Sequence, residues 1–258
     1  MPHITTHIRA YRVTEKHSTN TWLNQDTKRI DAYLDSADVI IVEKNRCIKI
    51  LMDMFRYNFS ITNNLNMLDL GCGDGIITKM IADKYPDNSF SLIDGSAHML
   101  SKASENLAGA NVSIRLQSFE DYVDSPLDEN RYDFVYSANA IHHLDKPAKS
   151  RLYTRIYHEM KPGGLFVNMD VVKPASTKSE EWQFKMWTDW MNEKLNEKRY
   201  GGDTGKYDHI PAMYKTNEEN KPSTLLEQLT LISGAGFRDV DCYYKYGIFS
   251  IIGGTKKT

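Results

Sequence analysis

The chain has 258 residues, 41% of them hydrophobic, and a formal net charge of −2. That supports one large core and leaves no standing attraction for nucleic acid or an anionic membrane. No apolar run reaches the roughly 18–20 residues of a membrane span, "MPHITTHIRAYRV" holds no apolar leader, and Cys47, Cys72 and Cys242 lack CxxC spacing, so a cytoplasmic single-domain protein without a disulfide framework is expected.

Up to about residue 60 the pattern is helical. Ile30, Tyr33, Leu34, Ala37 and Ile41 form one apolar stripe, and Ile48, Leu51, Met52, Phe55 and Phe59 form a second, both near the 3.6-residue period. After the polar break "SITNNLN" come five short apolar runs that read as buried strands: "LNMLDL", "SFSLID", "VSIRLQ", "YDFVYS" and "GLFVNMDVV". Helical patterns separate them, around Ile77–Ile81, Met99–Leu107 and residues 147–160. Such alternation implies right-handed crossovers and a mostly parallel sheet. "KPGG" at 161–164 reads as a sharp helix stop and a turn into the fifth strand. An insert of about 50 residues follows, then a helix in "PSTLLEQLTLISGAG" and two strand-like runs around Gly247 with no helix between them, an antiparallel hairpin. The expected organisation is one domain over 1–258: a helical cap (1–64), a core (65–172), an insert (173–222), and a terminal helix and hairpin (223–258).

The stretch "MLDLGCGDG" places Gly71, Gly73 and Gly75 directly after the first strand. A dinucleotide fingerprint wants its third glycine where Ile76 stands, so the loop is spaced differently from a pyrophosphate cradle. The next strand ends in Asp94, nineteen residues past Gly75. A carboxylate there can accept hydrogen bonds from both hydroxyls of a ribose; it can also cap the following helix.

"LDLGCGDG", "LIDGSAHML", "YDFVYSANAIHHL", "KPGGLF" and the closing "AGF…GGTKK" together resemble the ordered motifs of the class I S-adenosylmethionine-dependent methyltransferases. The resemblance covers about residues 65–172 and 222–256 and is nearest to the small-molecule branch, which includes enzymes of quinone and secondary metabolism. It implies a Rossmann-like α/β fold: a seven-stranded, mostly parallel sheet with an antiparallel last strand and helices on both faces. It also implies S-adenosyl-L-methionine as cofactor. By the same resemblance Gly71, Cys72 and Gly73 approach the methionine part of that cofactor, with Asp69 ordering the loop. Asp94, with Gly95 beside it, takes the ribose. Met99 lies against adenine or else packs in the core. Where the family often has an acidic residue for the adenine amino group, this chain has Ser118 and Phe119; the hydroxyl can still hydrogen-bond, and the ring serves either adenine or the core. Ser137, Ala138 and Asn139 bring main-chain groups to the methionine amino end. Cys72 is read as a small, well-fitting side chain, because Asp69 and Asp74 raise a thiol pKa.

A sulfonium methyl is already activated, so holding donor and acceptor in line and dry is the protein's main task. Where the acceptor must lose a proton, His142, His143, Asp170 and the tyrosines of the N-terminal cap are the candidate bases, the two adjacent histidines being expected to point apart. No His/Cys/Asp cluster has metal-ligand spacing, and His3 and His7 lie near the terminus, so no metal is expected. Acceptor specificity is assigned to residues 1–60 and to the insert, and the first 25 residues, with Tyr11, Arg12 and Trp22, are expected to fold over the cofactor from the other side. In the insert, Trp182, Met186, Trp187, Trp190, Met191 and Leu195 are read as one helical face that docks on the body and roofs a pocket at its edge, with "RYGGDTGKYDHIPAMY" as a flap. The expected partner is a small-molecule methyl acceptor, handled by a monomer or homodimer. An RNA-modifying enzyme is the alternative, since tRNA uridine-modifying members share a similar insert. The insert's nine Lys/Arg are matched by nine Asp/Glu, which leaves no phosphate-tracking stripe. A non-catalytic cofactor binder, or a nicotinamide-dependent enzyme, is the third reading.

Overall fold

The computed structural model describes residues 27–197 and 203–258. Tyr11, Arg12, Trp22, His3 and His7, and the "RYGG" start of the expected flap, lie outside the described residues. Seven strands form one sheet in the order β3-β2-β1-β4-β5-β7-β6. The parallel members are β1 (Asn66–Leu70), β2 (Ser89–Asp94), β3 (Val112–Leu116), β4 (Tyr132–Ala138) and β5 (Met160–Val171); β6 (Arg238–Tyr246) and β7 (Phe249–Thr255) form the closing hairpin, and β7 inserts antiparallel beside β5. This is the architecture that the strand–helix alternation and the terminal hairpin led us to expect.

Period-two alternation divides the strands between two cores. Met67, Phe134, Tyr136, Leu165 and Val167 face α2 (Lys44–Asn58), α3 (Ile76–Lys84) and α4 (Ala97–Asn106). Leu68, Val135 and Phe166 face the other way, toward α5 (Phe119–Asp124), α6 (Lys146–Glu159) and α9 (Leu225–Gly234). With both faces covered, these strands are apolar on both sides, so they read as continuous apolar runs rather than alternating ones. The six-residue α5 is absent from the sequence reading, being too short to show a period. It forms because Ser118 caps it, its Oγ accepting from Asp121 N at 3.1 Å, as Ser does at an exposed N–H.

"KPGG" is not a turn ahead of the fifth strand. The strand already begins at Met160, and the four residues form an irregularity within it, where the register with β4 shifts between Tyr132 and Phe134. Gly163 takes a left-handed φ of 76° there, which glycine adopts without the cost of a Cβ.

The insert contributes α7 (Thr177–Asn196) and α8 (Ile210–Thr216). Trp187, Met191 and Leu195 recur at a spacing of four and are buried against Val39, Val42, Val171 and Phe249. Two indole N–H groups lock α7 onto the end of α1 (Thr27–Ile40): Trp187 Nε1 donates to Ile40 O at 2.7 Å and Trp190 Nε1 to Val39 O at 3.1 Å. Trp182 does not belong to this face. It is 61% exposed, because five residues of helix rotate it well away from Trp187. Among the described residues no helix is long and apolar enough to cross a membrane.

The tight fit of β7 against β5 gives the first prediction. A Cβ at Gly253 would run into the carbonyl oxygen of Phe166 in the neighbouring strand, whereas one at Gly234, at the end of α9, would meet nothing within 4 Å. Gly253→Ala should therefore destabilise the fold by roughly 3 kcal/mol. Gly234→Ala should leave it unchanged or stabilise it by up to about 1 kcal/mol. Urea denaturation midpoints check both, and equal effects would contradict the packing described.

Candidate active site

The five parallel strands end on one edge of the sheet, and β1 lies between β2 and β4, where the winding direction reverses. A crevice opens at such a point because successive crossovers leave in opposite directions. A cavity of about 680 Å³ occupies it, within the ordinary size range of small-molecule sites.

One side of the cavity is built by the glycine loop. Gly71, Gly73 and Gly75 have φ values of 68°, 54° and 73°, all left-handed, which explains three glycines in five residues. The loop is pinned to β2: Gly71 N donates to Ile93 O at 2.8 Å, and Gly73 N to Asp94 Oδ2 at 2.9 Å. The other Asp94 oxygen accepts from Ser96 N at 2.8 Å. Ser96 itself caps α4, so Asp94 is not the cap of that helix. A Cβ on Gly71 would collide with Ala140, so that glycine is dictated by packing; one on Gly73 would point into the cavity, with only Met99 Sδ at 4.0 Å. Asp69 is buried beneath the loop, accepting from Thr78 Oγ1 at 2.7 Å, and Thr78 Oγ1 in turn lies 2.7 Å from Tyr136 OH. Burial pushes the Asp69 carboxyl up to about 7 against the Thr78 hydrogen bond, and the charges of Asp94 and Asp74 add to the rise. The Cys72 thiol is driven well above its ordinary value by burial and then by Asp94 and Asp69, which disfavours the thiolate form.

Gly95, Met99, Ser118, Phe119, Ala138 and Asn139 also line the cavity. The Ser118 hydroxyl is engaged at the start of α5, donating to Asp121 Oδ2 at 3.0 Å while it accepts from the Asp121 amide. Asn139 has a φ of 50° and donates its backbone N–H to Met169 O at 2.8 Å; asparagine is among the few side chains at ease in that conformation. Ser137 stands apart from the lining residues. It is fully buried behind the wall, its hydroxyl donating to Leu70 O at 2.7 Å and tying β4 to β1.

His142 and His143, in a 3₁₀ turn (Ile141–His143) after β4, both line the cavity with ring centroids 4.1 Å apart. They do not point apart: each ring is held by its own partner, His142 by Asp170 and His143 by the Glu219 carbonyl. Asp170, at the end of β5, holds His142 twice. Its Oδ2 accepts from His142 N at 2.8 Å, and its Oδ1 lies 2.6 Å from His142 Nδ1. Since a carboxylate only accepts, Nδ1 carries a proton and donates to Asp170, which leaves Nε2 as the ring nitrogen that can take up or release one. Burial works to raise the Asp170 pKa, but the charge and hydrogen bond of His142, with the Val171 N–H, bring it below its ordinary value. His143 Nδ1 lies 3.2 Å from the Glu219 carbonyl. Desolvation, followed by repulsion from His142, lowers the His143 pKa to about 4. The segment that supplies Glu219 is itself fixed: Lys221 N donates to His142 O at 2.8 Å, and the buried Lys149 ammonium donates to Lys221 O and, at 3.2 Å, to Ser223 Oγ.

The far side of the cavity comes from α1, α7 and α8. Tyr33, Ile40, Val42, Trp187, Ile210 and Tyr214 face it. Tyr33 is one of the cap tyrosines expected as candidate bases; Ile40 and Val42 are not singled out by the sequence, because a residue that packs and a residue that lines look alike in a helical stripe. Burial raises the Tyr33 hydroxyl to about 12, helped by the charges of Asp74 and Asp170. Tyr214 OH is buried and has no hydrogen-bond partner among the described residues.

Residues 67–164 match a family model described as "Methyltransferase domain". The phosphoethanolamine N-methyltransferase of Plasmodium falciparum (isolate 3D7) is 29% identical over 154 residues, 59% of this chain and 51% of that one. The chain spans about half the length of this curated relative and less of the next ones. Haemonchus contortus phosphoethanolamine N-methyltransferase 2, solved in complex with S-adenosyl-L-methionine, superposes with a TM-score of 0.62 at 15% identity, covering 95% of this chain and 61% of that chain. The CurJ carbon methyltransferase gives 0.61 at 18% identity, covering 92% and 59%. At such identities the structures speak for the fold alone, and it is the fold implied by the ordered motifs.

The depressed His143 pKa carries a stability consequence. A histidine kept neutral by the fold binds its proton more readily in the unfolded chain, so its contribution is present above pH 6.5 and is lost as pH falls toward 4. Relative to His143→Gln, the wild type should lose up to about 1.4 kcal/mol per pH unit across that window. Asp69, whose shift has the opposite effect, is common to both proteins and cancels. Parallel pH–stability curves from chemical denaturation would show that His143 protonates freely in the fold.

Proposed function

We propose that this chain, whose residues 67–164 match the family model described as "Methyltransferase domain", is a class I S-adenosylmethionine-dependent enzyme that binds S-adenosyl-L-methionine and transfers its methyl group to a small molecule. The observation that carries the reading is the Gly73–Asp94 arrangement. A backbone amide held by the carboxylate at the end of β2 leaves the Gly73 Cα facing the cavity, where a Cβ would intrude. The cavity wall is also suited to a cation: among the described residues it carries Asp69, Asp74, Asp94, Glu120 and Asp170 against a single lysine, Lys44.

When bound, the cofactor supplies an activated methyl on a positive sulfur, and its reaction neutralises that charge. The chain's own residues then bind, orient and dry the pair. Asp94 would hold the ribose hydroxyls, Gly71, Cys72 and Gly73 would border the methionine part, and Asn139 would present backbone near its amino end. Met99 and Phe119 would flank the adenine. Ser118 would serve there through its backbone, its hydroxyl being engaged with Asp121. His142, backed by Asp170, is our choice for the group that removes an acceptor proton, with neutral His143 beside it. We assign residues 65–172 to the cofactor, and α1 and the insert to the acceptor. We place the protein in a reducing compartment, the cytoplasm, on the strength of three unpaired cysteines spread over the fold. The balanced charge of the insert supports a small acceptor over an RNA.

Calorimetry with S-adenosylmethionine and with a nicotinamide dinucleotide tests the reading. The former should bind and the latter should not; the reverse preference would end this proposal. Asp94→Ala should remove charge-assisted hydrogen bonds worth roughly 1.5–3 kcal/mol each. Gly73→Val should abolish binding while the protein stays folded, because a branched side chain would fill the cradle and disfavour the loop's backbone conformation.

A further inference from the structure

The acceptor half of the cavity has a chemistry of its own. Its apolar wall is formed by Ile40, Ile41, Val42, Trp187, Ile210 and Phe249, and Tyr33, Tyr207, Tyr214, Asn217 and Asn220 line the same cavity as His142 and His143. The Lys/Arg lining among the described residues is limited to Lys44, and its ammonium is already 2.9 Å from Asp38 Oδ1. Three histidines line the cavity among the described residues, His142, His143 and His209; His142 is paired with Asp170, and desolvation and His142 lower the His143 pKa to about 4. Among the described residues, a phosphate ester entering here would lose its hydration, meet no unpaired Lys or Arg and face Asp170 within the same cavity. An uncompensated charge of this kind is among the costliest things to bury.

From this wall we infer that the acceptor is an apolar-bodied molecule without a phosphate, presenting a weakly acidic hydroxyl of the phenol or enol kind to the His142–Asp170 pair. The inference rests on the methyltransferase reading above and differs from the phosphorylated amine in the name of the Plasmodium relative. An aliphatic amine arrives as an ammonium and must shed both hydration and a proton before it can attack. A phenol arrives neutral and gives up its proton at the moment of attack. In the step, the acceptor oxygen forms a bond to the methyl carbon as the carbon–sulfur bond breaks, and that bond's electron pair stays on sulfur. The hydroxyl proton passes to His142 Nε2, and the resulting imidazolium is stabilised by Asp170 across the 2.6 Å contact at Nδ1, the same division of labour as in a Ser-His-Asp triad. The positive charge leaves the sulfur and reappears on a ring already paired with a carboxylate.

Two probes that differ only in the phosphate test this. The full chain is loaded with S-adenosylhomocysteine, and the affinities of 1-naphthol and 1-naphthyl phosphate are measured by calorimetry near neutral pH. Naphthol should bind at least about tenfold more tightly. Met213→Lys places a cation on a cavity residue that is 47% exposed and so tolerates the change; it should narrow the preference, with its melting temperature as the folding control. With labelled S-adenosylmethionine, methyl ether should form from 1-naphthol, and His142→Gln should cut its rate by roughly a hundredfold or more. Equal or tighter binding of the phosphate, or no binding of naphthol to the loaded protein, overturns the acceptor class and leaves the cofactor reading standing. Failure to bind S-adenosylhomocysteine at all overturns both.

Discussion

The structure around the cavity depends on one buried carboxylate. Asp170 sits at the end of β5, 3% exposed, and an isolated charge there would be untenable. It is held by the backbone and ring of His142 and by the Val171 N–H, while Ser250 Oγ donates to its carbonyl. Those partners come from the turn after β4, from β5 itself and from the inserted strand β7. The carboxylate thus ties the turn after β4 to the end of β5, and the carbonyl of the same residue ties that end to β7, so one residue joins parts of the chain that are far apart in sequence. Removing one partner of such a buried pair typically costs several kcal/mol, so this corner is rigid, and the histidine ring inherits that rigidity.

Tension from burial runs through the rest of the site. Burial pushes Asp69 and Asp94 up, and hydrogen bonds from Thr78 and from the Gly73 and Ser96 amides oppose it. The same acids that repel one another make the glycine-loop side of the cavity attractive to a positive ligand. On the other side, α7 is clamped to α1 by two indole hydrogen bonds, and its apolar stripe closes the chamber. The cavity is thus polar and acidic where the chain is tied to strand ends, and apolar where helices from the two non-core segments meet. The division follows from what each element offers: strand ends expose amides and carboxylates, while docked helices expose the edge of a packed stripe.

The sequence by itself determined the sheet, because buried parallel strands must be nearly all apolar and the crossovers between them must be helical. It also marked the glycine loop and Asp94, since left-handed backbone after a strand admits little but glycine. It could not show that the Ser118 hydroxyl is engaged by its own helix, or that Ser137 lies behind the wall, because both depend on partners three and 67 residues away. The short α5 and the irregularity at "KPGG" escaped it, being decided by a single cap and by register with β4. Only the tertiary structure set His142 against Asp170 and turned Tyr33 and Tyr214 toward one cavity. These are meetings between elements, and no periodicity within an element encodes them.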